Sequence, residues 1–511
     1  MKMRTRRLYL LLVSAALLLA GLACRTLLGD PDEGITLSQA TESNPPTEAA
    51  PPAPASPTPI LLGEPSLSER LNGQDLPDLQ FGPAGSSPFD GTRPELSGEP
   101  RTLDTEHFRV HYTDSGGDAV PTADNDGNGH PDYVEHVARA LEYSWFAEIE
   151  HFGWAPPPPD EGLGGDDRYD VYLANIFDEG NAGYVEGDFD AGFFGDNPLT
   201  SVVEDRASSS HMVLDNDYDG YNDNPAPGVS LLDYMRSTAA HEFAHSIQYG
   251  YDGDEPHDWL WEATATWMQD EVFDLVNDGN EVLPAVFKSP DSCQLAYGGE
   301  NHAEDADHWY GMWIFIRYVS ENYGHAAVRE LWEATVEVDG YDAWDLMLAR
   351  YGTNLETVFE EFAVAMLLRN FDEGGDYPVV RLEGGIGYED NFKPADGVGQ
   401  LGVDYLELDA RDLLAITLTG DDISGLFVSV LDGQAHIYAM PAGRANVDTN
   451  QFDRSYLLVF NLHRAARERN CRSADYTVVV AQGGQADSPI EQLAAPNFLP
   501  PRVEGLREFS D

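Results

Sequence analysis

The sequence predicts an α+β fold, in which a mixed domain of strands and helices precedes a C-terminal β-sandwich. Between residues 106 and 276, segments with two-residue alternation are interspersed with amphipathic segments, which indicates interleaved strands and helices. From 307 to 371, apolar residues recur with helical spacing. After about residue 377, short apolar segments are separated by turn residues at intervals typical of all-β domains.

The elements of the two domains follow from these patterns. Strands of the mixed domain are expected at 106–113, 168–176 and 210–215. Helices are expected at 133–152, 231–249 and 258–276. Asp258 is expected to cap the third helix, because its carboxylate can accept hydrogen bonds from free N–H groups of the first turn. Strands of the sandwich are expected at 405–408, 413–418, 426–431, 436–438, 456–460 and 476–480.

These elements divide the 511 residues into five segments. They are a signal peptide at 1–24, a linker or propeptide at 25–98, the mixed domain at 99–372, the β-sandwich at 373–486 and a tail at 487–511. The linker interpretation rests on residues 41–59, which are rich in Pro, Ala and Thr and are therefore expected to be extended.

The first 24 residues look like a bacterial lipoprotein signal. Basic residues precede an apolar run from Leu8 to Leu22, which is short for a membrane span. Cys24 follows this run, although Gly21 stands where such signals usually have Leu. We expect lipidation of Cys24, with plain secretion as the alternative. Either process places the mature chain outside the cytoplasm, at the cell surface or in the medium.

The formal charge of −61 restricts the partners that the chain can have. Its carboxylates would repel a phosphate backbone, so no nucleic-acid partner is expected, whereas solubility and cation binding are favoured. Cys293 and Cys471 are far apart in the sequence. Outside the cell they can form a disulfide, and they can equally stay reduced and buried.

The motif with the clearest chemistry is His241-Glu242-Phe243-Ala244-His245. Residues four apart lie on one face of a helix, so both imidazoles can reach one metal ion. Catalytic zinc has three protein ligands and an open position. Glu242 lies beside that position, where it can take a proton from a zinc-bound water. The alternative is a pair of surface histidines on an amphipathic helix.

Glu262 is expected to be the third ligand. It lies in an otherwise apolar segment between Trp261 and Ala263, where a carboxylate is costly to bury unless it is paired or binds metal. The HExxH motif followed by this Glu resembles the gluzincin peptidases. Gln248 and Tyr251 do not fit the metzincin pattern.

More widely, residues 105–372 resemble secreted bacterial metallopeptidases that carry a C-terminal β-domain. The resemblance implies a zincin-like catalytic domain, with a mixed sheet, an active-site helix and then a helical subdomain. It implies zinc bound by His241, His245 and Glu262, with Glu242 as the base. Some gluzincins have a further carboxylate one turn after the third ligand, but Thr266 stands there. The groups that orient the histidines therefore stay unassigned.

Hydrolysis also needs a donor for the developing oxyanion. Two side chains that precede Gly311 are candidates, namely Tyr310 and His308. The alternative is that Tyr310 belongs to the core and His308 to the surface.

Residues 124–135 have the spacing of an EF-hand calcium loop. The expected ligands are Asp124, Asp126, Asn128, His130 through its carbonyl, Asp132 and Glu135. No helix is predicted before the loop, so bound calcium is expected to stabilise the fold rather than to act as a calcium sensor. The alternative is that the loop binds no calcium and is only a polar turn. A second possible calcium run, with Ala226 where a Glu belongs, contains Asp215, Asp217, Asp219 and Asp223.

These features together predict an extracellular zinc peptidase, stabilised by calcium, that acts on a protein or peptide substrate. An alternative is a surface binding or adhesion protein with a non-catalytic zinc site, although a structural site has no need of Glu242. A zinc hydrolase that acts on other bonds is a third hypothesis. Membrane contact is expected only through the N-terminal lipid anchor.

Overall fold

The computed structural model describes seven segments of the chain, namely 93–177, 180–189, 191–221, 228–295, 307–388, 391–464 and 472–494. The signal peptide with Cys24, most of the linker, Asp223 and Cys471 lie outside these described residues. Contacts divide the chain into two units, Met1–Gly63 and Glu64–Asp511, and all described residues belong to the second. Helices and strands are mixed along the chain, so the α+β prediction is confirmed.

A five-stranded mixed sheet forms the first layer. Its strands are β1 (Pro100–Asp104), β2 (Phe108–Thr113), β3 (Tyr169–Ala174), β4 (Gly183–Gly187) and β7 (Ser210–Asp215). They lie side by side in the order β1-β2-β3-β7-β4. The three predicted strands are the central parallel ones, whereas β1 and β4 pair antiparallel at the two edges. A short ribbon consists of β5 (Phe194–Gly195) and β6 (Ala207–Ser208).

Two of the next three helices pack against this sheet, and the last packs against its predecessor. They are α1 (Asp132–Trp145), which continues as a π-helical turn at Phe146–His151, α2 (Leu231–Asp252) and α3 (Asp258–Val272). Ser230 caps α2, because its Oγ accepts from the N–H of Asp233 at 3.1 Å. The predicted cap of α3 needs correction: His257 occupies the cap position, and Asp258 is the first helical residue.

The helical pattern predicted at 307–371 folds into a series of short helices, and one further short helix precedes it. These are α4 (Leu283–Lys288), α5 (Asp307–Gly311), α6 (Trp313–Tyr323), α7 (His325–Thr335), α8 (Gly340–Leu348) and α9 (Leu355–Leu368). Gly324, between α6 and α7, has a φ of +91°, which breaks the helix at a conformation that favours glycine. Within the described residues, no helix combines the length and the apolar character needed to cross a membrane.

Two mainly antiparallel sheets follow. Their strands are β8 (Gly384–Ile386), β9 (Asn391–Phe392), β10 (Val403–Leu408), β11 (Leu413–Gly420), β12 (Ile423–Leu431), β13 (Gln434–Ala439), β14 (Arg444–Asp448), β15 (Arg454–Asn461), β16 (Tyr476–Gln482) and β17 (Glu491–Ala494). The six-stranded sheet has the order β17-β13-β12-β15-β10-β8, and the four-stranded sheet has the order β14-β11-β16-β9. The tail predicted at 487–511 contains one strand, β17, which pairs with β13.

The six-stranded sheet has buried side chains on both of its faces. One face shares a hydrophobic cluster with the four-stranded sheet, in which Leu406 and Val478 take part. The other face belongs to the core that contains the helices. Phe460 of β15 meets Phe359 of α9 with 6.3 Å between ring centroids, and the hydroxyl of Tyr405 donates to the carbonyl of Ala363 at 2.8 Å. The helical and β regions therefore share one core.

Candidate metal centre

Two helices bring three ligand side chains together. His241 and His245 lie one turn apart on α2, and their Nε2 atoms are 3.1 Å from each other. Glu262 comes from the neighbouring helix α3. Its Oε2 lies 3.3 Å from Nε2 of His241 and 3.5 Å from Nε2 of His245. The structure therefore brings together all three predicted zinc ligands.

Two glutamines fix the protonation of the histidine rings. Nδ1 of His241 lies 2.8 Å from Oε1 of Gln269, and Nδ1 of His245 lies 2.7 Å from Oε1 of Gln248. The amide nitrogen of Gln269 donates to Asp278 at 2.9 Å, and that of Gln248 donates to the carbonyl of Trp261 at 3.1 Å. Since those partners accept only, each glutamine must present its oxygen to a histidine N–H. Each Nδ1 therefore carries a proton, and Nε2 is the nitrogen that each ring can offer to a metal.

The ligand atoms form a site that needs positive charge. The lone pairs of His241 and His245 point at each other and at a carboxylate oxygen of Glu262, so the three acceptors repel one another. Either a cation or added protons must lie between them. Two neutral imidazoles and one carboxylate are the donor set that catalytic zinc takes, so these residues fit zinc. The two glutamines supply the outer hydrogen bonds that such ligands need.

Glu242 lies on α2 between the two histidines and is almost fully buried, with 6% of its surface exposed. Burial raises its pKa above the ordinary value, and the charge of Glu262 adds to the rise, whereas the two histidines oppose it. Gly183 of β4 packs directly on this side chain, since a Cβ there would lie 2.7 Å from Cγ of Glu242. Only glycine fits at this position, which the sequence did not single out.

Of the two candidate oxyanion donors, Tyr310 lies at the site. Its ring stacks on that of His241 with centroids 5.8 Å apart. The charge of Glu262, together with burial, raises the pKa of Tyr310 well above its ordinary value, so the phenol keeps its proton. His308 is buried, and its Nε2 lies 3.3 Å from the carbonyl oxygen of Gln294.

A series of aromatic side chains leads away from the ligands. The Trp261 ring is 6.3 Å from His245 and 5.1 Å from Tyr249, and Tyr249 is 5.8 Å from Phe189. Phe189 in turn meets Phe194 at 6.0 Å, and these two phenylalanines are 42% and 51% exposed. An apolar surface therefore runs from the metal centre to the solvent.

The predicted calcium loop at 124–135 folds around its acidic residues. Asp124, Asp126 and Asp132 each direct a carboxylate oxygen to within 4.8 Å of the others. Gly129 has a φ of +98°, as the sharp turn at the sixth position of such a loop requires. The side chain of Asn128 contacts both Asp126 and Glu135, and Glu135 is a buried residue in the first turn of α1. These residues fit calcium, since all the donors are oxygens.

The second predicted calcium run is described from Asp215 to Tyr221. Both carboxylate oxygens of Asp215 accept from backbone N–H groups, at 2.7 Å from Tyr218, 3.1 Å from Phe177, 3.2 Å from Asp217 and 3.3 Å from Ile176. Asp215 therefore closes the loop by hydrogen bonding. In the described part of this run, no three carboxylates converge, and Asp223 lies outside it. The run stays a prediction.

A family model matches the part of the chain that holds the metal centre. Residues 228–348 match the model described as Family of unknown function (DUF6055). This segment contains the whole of α2 and α3, and with them the three candidate ligands and Glu242. No curated protein gives a significant match to the chain.

Proposed function

We propose that this protein is an extracellular zinc-dependent peptidase. The convergence of the Nε2 atoms of His241 and His245 on a carboxylate oxygen of Glu262, beside the buried carboxylate of Glu242, is the observation that carries the proposal. A purely structural zinc site is usually closed by four protein ligands, whereas three ligands beside a buried acid correspond to a hydrolytic site.

Zinc bound by these ligands would polarise the attacking water and the substrate carbonyl. Glu242 accepts the proton of that water and passes it to the leaving amine. Tyr310, whose ring stacks on that of His241, would donate a hydrogen bond to the oxyanion.

The architecture agrees with a zincin-like catalytic domain. The mixed sheet has an antiparallel edge strand, β4, and α2 packs against both β4 and β7. The shared hydrophobic cluster supports a β-sandwich made of the six- and four-stranded sheets. The exposed rings of Phe189 and Phe194 favour peptide substrates with apolar side chains. Calcium in the 124–135 loop would stabilise the start of α1, and lipidation of Cys24 would hold the enzyme at the cell surface.

The test is Glu242→Gln, because the amide has the same shape but cannot accept the proton. We expect this variant to keep its fold and its zinc while hydrolysis of casein or a peptide library falls at least 10²–10⁴-fold, the usual effect of losing a general base. Glu281→Gln, in a short 3₁₀ turn after α3, is the matched control and should keep full activity.

Two results would contradict the proposal. Turnover of the Glu242→Gln variant at the wild-type rate would exclude Glu242 as the base. Stoichiometric zinc without hydrolysis of any peptide by the wild type would instead favour the binding-protein hypothesis, with a non-catalytic zinc site.

A further inference from the structure

A second group of carboxylates converges where the helical region meets the β-sheets. Asp291 follows α4, Glu383 directly precedes β8, and Asp404 lies on β10. Each offers one oxygen, and the three oxygens lie within 4.8 Å of one another. The segments are held in place by the backbone, since the N–H of Val403 donates to the carbonyl of Pro290 at 2.8 Å. The cluster is thus built into the junction.

The positive charge beside this cluster balances it only in part. Arg381 pairs with Asp291 at 2.5 Å and with Glu383 at 3.2 Å, and its own side chain is 43% exposed. The side chains of Asp291 and Glu383 are only 13% and 16% exposed. When all three carboxyls are ionised, one guanidinium therefore leaves two negative charges in a weakly solvated place.

Asp404 has a buried carboxylate oxygen whose hydrogen bonding is incomplete within the described residues. It is 1% exposed, and its Oδ2 accepts from the hydroxyl of Tyr476 at 2.6 Å. Its Oδ1 is buried and has no hydrogen-bond donor among the described residues. A buried carboxylate oxygen without a donor is costly, since folding has removed its water. Burial accordingly raises the pKa of Asp404 to about 8, and the charges of Glu383 and Asp291 add to the rise.

We propose that Asp291, Glu383 and Asp404 bind a divalent cation, and that this cation is calcium. All three donors are hard carboxylate oxygens, and the cluster has no imidazole or thiolate, so its chemistry suits calcium rather than zinc. Calcium accommodates irregular oxygen sets at about 2.3–2.6 Å, and its two charges neutralise those that Arg381 leaves. The ion gives the buried carboxylate its partner and ties the helical region to the β-sheets.

The test measures calcium binding and thermal unfolding of the mature chain with Asp404→Asn. Asn keeps the oxygen that accepts from Tyr476 but removes the charge. We expect equilibrium dialysis to show one bound calcium fewer per chain than in the wild type. Above pH 8, where Asp404 is ionised and its buried charge destabilises the ion-free state, the variant should melt above the wild type in a calcium chelator and below it in millimolar calcium. Asp475→Asn, exposed and paired at the surface with Lys393, should behave like the wild type.

The 124–135 loop is intact in all these proteins, so a difference between them reports the junction site. A folded Asp404→Asn protein that binds as much calcium as the wild type would overturn the proposal. If Asp404→Asn does not fold, the less buried Asp291→Asn and Glu383→Gln decide instead. Each should lose one calcium while its circular dichroism stays native, and unchanged calcium content in both would also overturn the proposal.

Discussion

Each histidine of the candidate metal centre is oriented by a glutamine, and the amide nitrogen of that glutamine donates to an acceptor of its own. Gln269 lies on α3 two turns after Glu262, so one helix supplies both a ligand and the group that orients another ligand. Asp278 holds the Gln269 amide in the required orientation. Thr266, where some gluzincins have a carboxylate, is buried and does not take this task.

The first prediction concerns the ligands. Replacing Glu262 with Ala, or either histidine with Ala, should remove most of the single zinc, because three ligands leave none to spare. Metal content of the purified variants, by mass spectrometry, checks this. Full zinc content in Glu262→Ala would mean that another carboxylate is the third ligand.

The second prediction concerns Gln269. Gln269→Ala should weaken zinc binding roughly 10–100-fold, since the ring of His241 loses the acceptor that orients it. Competition with a zinc-binding dye measures the affinity, and exposed Gln451→Ala is the control. An unchanged affinity would show that packing alone orients the ring.

At the scale of single elements, the 124–135 loop determines how α1 begins. Pro131 occupies the cap position and gives no side-chain hydrogen bond, and Asp132 and Glu135 both lie in the first turn. The start of the helix therefore depends on the acidic loop rather than on a conventional cap. In the absence of a cation these carboxylates repel one another.

The third prediction follows from this arrangement. Calcium that binds only the folded loop stabilises the protein, so a chelator selective for calcium over zinc should lower the melting temperature by about 3–5 °C. The double variant Asp124→Ala with Asp126→Ala should lose the part of the calcium-dependent change in melting temperature that is caused by binding to the 124–135 loop. Differential scanning calorimetry from micromolar to millimolar calcium provides the measurement. A double variant with the wild-type calcium response would show that the loop is only a polar turn.

At the scale of the whole molecule, carboxyl groups are found in the protein interior as well as on its surface. Burial raises the pKa of Asp252, Glu321 and Glu373 to about 7. Each of these groups takes up a proton more readily in the folded state than in the unfolded chain, where carboxyl groups titrate near 4. Their contribution to stability is fully present below pH 4 and is lost as the pH rises through 7.

The fourth prediction is that the melting temperature, measured with excess zinc and chelated calcium, falls between pH 6 and pH 8. Buried His111, whose pKa burial lowers to about 3, opposes the trend, because it destabilises the fold as the pH drops through 6.5. The larger number of buried carboxyls should outweigh it. Asp252→Asn should make the pH dependence shallower, and a melting temperature that rises with pH would contradict the prediction.

The sequence was sufficient to predict those parts of the fold and of the candidate site that depend on interactions between residues close together in the chain. The four-residue spacing of His241 and His245 places them on one helix face, and the apolar surroundings of Glu262 mark it as a third ligand, so the three could be predicted to meet. The central strands and the main helices could be predicted from periodicity for the same reason. The edge strand β4 could not, since Gly183 and Gly187 at its ends give no β signal.

Only the tertiary structure decided which distant residues meet. Gln269 is an ordinary polar residue in the sequence, and it contacts His241 because α2 and α3 pack side by side. Gln248 lies one turn from His245 on α2, but its amide is oriented by the carbonyl of Trp261 on α3. Asp291, Glu383 and Asp404 belong to three separate segments, and no periodicity relates them. Pairwise contacts between distant segments depend on packing geometry, which local propensity does not encode. Hence the sequence by itself identified the three side chains of the candidate metal centre, and the fold determined what surrounds them.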